Sequence, residues 1–191
     1  MSPEVYVTFD DGPIPEVTPQ VLDILDSFSV RATFFMVGQN VARNPSLLEE
    51  VRRRGHAVGN HTHRHLQGLN VSVRQYLDDV AEADALIRSP LFRPPHGWLT
   101  PSQLKALQQR YRVVMYDLVT RDYNRKLTSD RVFDNVSTLS RPGSVIVFHD
   151  SLKSWPRLRE SLPRSLEWLL ESGYRLLPMK EDLSFGMKDV E

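Results

Sequence analysis

The chain contains no cysteine. That excludes disulfide frameworks, thiol nucleophiles and thiolate metal sites, so any bound metal must be held by histidine and carboxylate. It also lacks a charge excess: Lys+Arg and Asp+Glu both number 24. Nothing in that balance draws it toward nucleic acid or an anionic membrane surface, and a neutral substrate is the default reading. No apolar run approaches the roughly 18 residues that a membrane span needs. No apolar leader precedes the first strand, which predicts either a cytoplasmic protein or one whose leader has been removed. A glycine-rich phosphate loop is missing after that strand, which weighs against a nucleotide-binding sheet. Linkers, low-complexity tracts and internal repeats are missing as well. With 191 residues, 40% hydrophobic and 25% charged, the chain reads as a single catalytic domain spanning 1–191 with a full core.

What is present is an alternation. Glu4–Phe9 is a β-rich run stopped by Asp10-Asp11-Gly12-Pro13. Thr18-Pro19 opens a helix with Val21, Leu22, Leu25 and Phe28 at helical spacing. Ala32–Val37 is a nearly continuous apolar strand, the mark of a buried parallel sheet. A helix from Asn44-Pro45 ends at Gly55, and His56–Gly59 is a short strand. Ser72 caps a helix to about Ile87, with Val73, Tyr76, Leu77, Val80 and Ala83 on its inner face. Further strands are predicted at 91–93, 112–119, 144–148 and 175–178, with helices at 101–109, 128–139 and 155–170. Such alternation implies parallel strands joined by right-handed helical crossovers, in an open doubly wound sheet or a (β/α) barrel.

The chemically loaded residues sit at the carboxyl ends of the predicted strands. Asp10-Asp11, His61, Arg93, Asp122 and His149 each follow a different strand. Parallel barrels build active sites on that face. The stretch 55–65 holds four of the six histidines. In a helical turn, His61 and His65 would lie on one side, close enough to share a metal ion. Adjacent carboxylates can converge only where a strand gives out, and Gly12-Pro13 ends the first strand beside Asp10 and Asp11. His61, His65 and one aspartate would form a two-histidine, one-carboxylate site suited to zinc and to hydrolysis. Non-haem iron uses a similar set, although no cosubstrate marker accompanies it here. Arg93 beside Asp10 would orient that carboxylate. His149 could act as a general acid with Asp122 as its partner. Arg121 and Arg125 read as ordinary surface charges.

Five segments resemble, in order, the signatures of the NodB-homology polysaccharide deacetylases, carbohydrate esterase family four. They are Thr8-Phe9-Asp10-Asp11-Gly12-Pro13, His61-Thr62-His63-Arg64-His65, Arg93-Pro94-Pro95-His96-Gly97, Asp122-Tyr123 and Val147-Phe148-His149-Asp150. The resemblance runs from about Val5 to Pro178. It implies an α/β fold: a distorted (β/α) barrel of about seven strands. It implies one divalent metal ion held by Asp11, His61 and His65, zinc in the first instance with cobalt or nickel as alternatives. By the same resemblance Asp10 is the general base acting on metal-bound water, Arg93 is its partner, and His149 is the general acid supported by Asp122. The backbone N–H near His96 would stabilise the oxyanion, and Thr62 would steady the histidine turn.

Three positions depart from the family pattern. His96 stands where tyrosine is common, Tyr123 where tryptophan is usual, and Val147 where leucine often lines the acetyl pocket. All three touch substrate fit rather than ligands or proton transfer. The implied activity is metal-dependent removal of N-linked acetyl groups from an acetylated carbohydrate of chitin-oligosaccharide or peptidoglycan type. Neither nucleic acid nor a membrane span is implied. O-acetyl ester hydrolysis of acetylxylan type and cleavage of a non-sugar amide or imide remain open on the same scaffold. An inactive, metal-bearing glycan-binding protein is the remaining alternative; the presence of both proton-transfer residues speaks against it.

Overall fold

The computed structural model describes residues 2–181; Met1 and residues 182–191 of the expected domain lie outside the described residues. The strands are β1 (Glu4–Asp10), β2 (Thr33–Met36), β3 (Ala57–Asn60), β4 (Leu91–Phe92), β5 (Arg112–Val113), β6 (Leu118–Val119), β7 (Val145–His149) and β8 (Arg175–Leu176). The helices are α1 (Thr18–Ser27), α2 (Gly38–Arg43), α3 (Pro45–Arg53), α4 (Val73–Ile87), α5 (Pro101–Leu107), α6 (Ser129–Leu139) and α7 (Trp155–Glu171). Seven strands lie side by side in the order β5-β4-β3-β2-β1-β7-β6, and β8 pairs with the start of β1. All pairings are parallel. The result is a barrel-like curl, open on one side, as the family resemblance implied and as one of the two architectures the alternation left open.

The core follows from strand alternation. Successive side chains of a strand face opposite ways. Phe9 therefore points toward the helices while Thr8 and Asp10 point into the curl. Phe9 is in register with Phe34 of β2 and Phe148 of β7, and its ring stacks on theirs at 4.9 and 5.8 Å. Burying rings of this size contributes roughly 1.5–3 kcal/mol each. Val21, Leu22 and Leu25 of α1 and Leu158, Leu162, Leu166 and Leu169 of α7 close over the same cluster. Helix starts are well specified: Ser72 and Gln75 form a capping box on α4, Thr100 and Gln103 another on α5, and Thr128 caps α6.

Three expectations need correction. The predicted single strand at 112–119 is two short strands on opposite edges of the sheet. β5 pairs with β4 and β6 pairs with β7. The four residues Val114–Asp117 between them cross the open side of the curl, with Val114 N–H on Phe92 O and Asp117 N–H on Val145 O. A helix, α2, precedes α3. Its six residues carry no side-chain cap, so no start signal announces it. Val73 is exposed rather than inward; it is the first residue of α4, at the end of the helix.

Candidate active site

Asp10 is the last residue of β1, nearly buried and facing the interior. Asp11 lies just past the strand with φ of 82°, a left-handed conformation that turns its carboxylate onto the same site. The turn is held from β7. Asp150 is buried and accepts the Gly12 N–H at 3.0 Å and the Thr18 hydroxyl at 2.6 Å, while its own N–H donates to Asp10 O. A Cβ on Gly12 would lie 2.1 Å from Asp150 Oδ2, so only glycine fits there. Burial, reinforced by the Asp11 charge, pushes the Asp150 carboxyl up to about 8 against the hydrogen bonds from Thr18 and Gly12.

His61 and His65 do meet, but not through a helical turn. Residues 61–67 form an irregular loop in which Thr62 and His65 both have positive φ. Several bonds fix it. Asn60 Oδ1 accepts the Thr62 N–H, and the Thr62 hydroxyl accepts the Leu66 N–H. Asp79 of α4, 1% exposed, accepts the N–H groups of His63 and Arg64 at 2.7 and 3.0 Å and also binds the Arg64 guanidinium. The other two histidines of this stretch turn elsewhere. His56 Nδ1 accepts the Ala32 N–H, and His63 pairs with Glu82.

Asp11, His61 and His65 present donor atoms that all lie within 4.8 Å of one another. His65 Nε2 is 3.2 Å and His61 Nε2 3.8 Å from Asp11 Oδ1. His61 Nδ1 lies 2.8 Å from Arg93 O. A carbonyl only accepts, so the ring proton sits on Nδ1 and Nε2 offers a lone pair. Burial pushes His61 down to about 4, which keeps it in the neutral form that a metal requires. Burial works against the Asp11 charge, but the hydrogen bond from His65 and the charge on His149 hold it well below the usual carboxylate range. This donor set fits one divalent ion.

The acid–base groups flank the cluster. Asp10 and His149 are register partners on adjacent strands. Arg93, fully buried, donates Nη1 to Asp10 Oδ1 at 2.8 Å and to the Thr8 hydroxyl, and Nε to Val114 O. Its guanidinium lies 4.1 Å from the Phe35 ring centroid. His149 Nδ1–H meets Asp122 Oδ1 at 2.8 Å, and its backbone N–H donates to Asp122 Oδ2 at 2.7 Å. Burial opposes charge on His149, but the Asp122 carboxylate and its hydrogen bond outweigh it and push the imidazole up to about 9.

Around these groups is a cavity of about 490 Å³. His96, Tyr123 and Val147 line it. His96 has φ of 59°, and its ring packs on His65 at 4.9 Å. Burial and the neighbouring His65 lower its pKa. The Tyr123 ring meets the His149 ring edge-on at 5.0 Å. Sequence reasoning did not single out Tyr116, Val119, Ser151 and Lys153, which share the wall, nor the support Asp79, and it gave Asp150 a place in a signature segment but no role. Of these only Asp150 had a local signal, its place beside His149.

Comparison with known proteins identifies relatives over most of the chain. A model of the polysaccharide deacetylase family matches residues 2–113. A peptidoglycan-N-acetylglucosamine deacetylase of Bacillus cereus is 32% identical over 189 residues, which cover 95% of this chain and 88% of the relative. A chitooligosaccharide deacetylase of Bradyrhizobium sp. is 35% identical over 154 residues, 76% of this chain and 70% of the relative. A crystal structure of a peptidoglycan N-acetylglucosamine deacetylase superposes with a TM-score of 0.88 at 30% identity, covering 92% of this chain and 86% of that one. The chain therefore belongs to the polysaccharide deacetylase family of NodB homology.

Proposed function

We propose that this protein hydrolyses the N-acetyl group of an acetylated amino sugar within a glycan of chitin-oligosaccharide or peptidoglycan type. The observation that carries the reading is the pairing of a base and an acid across one donor cluster: Asp10 and His149 on adjacent strands, with Asp11, His61 and His65 beside them. The names of the relatives described above support the glycan and the amide bond.

Asp11, His61 and His65 would hold the ion, and zinc suits the two-histidine, one-carboxylate set. A divalent ion there supplies a Lewis acid that polarises the acetamido carbonyl and acidifies water. Asp10, aligned by Arg93, accepts the proton of the attacking water. His149, kept protonated by Asp122 at neutral pH, gives its proton to the departing nitrogen as the C–N bond breaks, releasing acetate and a free amine. Val147 and Tyr123 bound the space beside His149 that the acetyl methyl would enter. The backbone of the His96 turn contributes to oxyanion stabilisation.

The test is acetate release from acetylated chito-oligosaccharides and acetylxylan, beside ring opening of cyclic imides, with the metal stripped and then restored. The expected result is metal-dependent release from the amino-sugar substrates. Release from acetylxylan alone, or activity indifferent to metal, would overturn the reading.

A further inference from the structure

Most charges on the cavity wall have a partner within the protein. Asp10 pairs with Arg93 and His149 with Asp122, and Asp11 belongs to the proposed metal-ligand set. Lys153 lines the same cavity and is different. Among the described residues no carboxylate oxygen lies within 4.0 Å of its Nζ. Its neighbour is the Tyr123 ring, 5.4 Å from Nζ to centroid, a contact that attracts a cation without neutralising it.

The position of this lysine is built rather than incidental. Arg157 of α7, 9% exposed, donates Nε to Asp122 O at 2.5 Å and Nη2 to Lys153 O. One guanidinium thereby fastens the loop after β7 to the loop that carries Asp122 and Tyr123. The lysine stem starts from a fixed point, and its ammonium sits over the ring that borders the proposed general acid. A sugar whose acetamido group reaches between Asp10 and His149 would extend its remaining substituents along this wall.

We propose that Lys153 binds a carboxylate of the substrate, so that the preferred glycan is acidic. The carboxylate would sit on the amino sugar that loses its acetyl group or on the adjacent residue. This rests on the deacetylase reading above. The chain's zero net charge hides the preference, because the unmatched cation is local to the cavity. A rim ion pair of this kind is worth at most about fivefold in affinity.

The experiment uses a matched pair of probes: peptidoglycan glycan strands freed of their stem peptides, which expose lactyl carboxylates, and the same strands with those carboxylates converted to methyl amides. The ratio of kcat/KM for acetate release, acid strand over amide strand, is measured for wild type, Lys153→Gln and Lys153→Arg at low and moderate salt. Equilibrium binding of both strands to metal-loaded Asp10→Asn is measured alongside. The expected ratio in wild type is about five, carried by KM and weakened by salt. Lys153→Arg keeps most of it and Lys153→Gln brings it near one. Equal binding of the two strands, or an unchanged ratio in Lys153→Gln, overturns the carboxylate inference. Absence of acetate release from both strands together with preferential binding of the acid strand overturns the deacetylase reading and leaves the role of Lys153 supported.

Discussion

Replacing Asp122 with Asn tests the acid end of the site most sharply. Asp122 is fully buried and spends both carboxylate oxygens on His149, one on the ring and one on the backbone N–H. The imidazole titrates at about 9 against an ordinary 6.5. At 1.36 kcal/mol per unit, that difference is a coupling of about 3 kcal/mol. Because the folded pKa is raised, this stabilisation is complete below pH 6.5 and lost as pH rises through about 9. The His149 contribution to wild-type stability should therefore be constant below pH 6.5 and fall toward pH 9, superimposed on the Asp150 and His61 titrations and read as the difference in melting temperature between wild type and variant. In Asp122→Asn the Asp11 and Asp10 charges still oppose burial, but the two largest raising interactions are gone, so the imidazole should titrate well below 9 and the alkaline decline should shrink. The amide oxygen can accept the His149 backbone N–H while the amide N–H donates to Nδ1 of the neutral ring, so no buried group need be left unpaired. At pH 7.5 most of the variant lacks the proton that the leaving amine needs, and kcat should fall roughly a hundredfold or more. The assay is the pH profile of kcat for acetate release, read beside an NMR titration of the ring. A variant whose ring pKa has dropped, yet whose kcat limb stays near 9, would refute the assignment of His149 as the acid.

The other groups give separable outcomes. Asp10→Asn should retain its metal, by elemental analysis, and lose turnover by roughly 10²–10⁴-fold; near-normal turnover would remove Asp10 from the mechanism. His61→Ala and His65→Ala should each lose metal and activity together, and full metal occupancy in either would contradict the ligand set. Asp79→Ala frees two backbone donors under the histidine loop without touching a ligand. It should weaken metal affinity by roughly 10–100-fold, and a competition titration with a chelator that found no change would refute its positioning role.

Much of the fold was legible because the strong signals were local. Asp-Asp-Gly-Pro at 10–13 ends β1, Ser72 and Thr128 start helices, and Phe9, Phe34 and Phe148 mark buried strands. What escaped notice was set by three-dimensional closure. The run 112–119 contains neither glycine nor proline, so nothing in it announces a break. Only the curvature of the sheet splits it between two edges. His61 and His65 were recognisable as a pair, but positive φ at Thr62 and His65, neither of them glycine, is imposed by Asn60 and Asp79 rather than advertised by the residues themselves. Asp79, Arg157 and Lys153 are ordinary helix or loop charges until the topology sets them beside the cavity.

The short span at 114–117 has a mechanical meaning. It tethers the two free edges of the sheet, and from Val113 to Leu118 an extended chain reaches at most about 18 Å. The mouth of the molecule therefore cannot gape by parting along that seam, however bulky the polymer presented to it. On the deacetylase reading, a long glycan would lie across the rim and present one sugar at a time to the cluster. Lengthening the tether by a few residues should slacken that grip before it disturbs anything underneath.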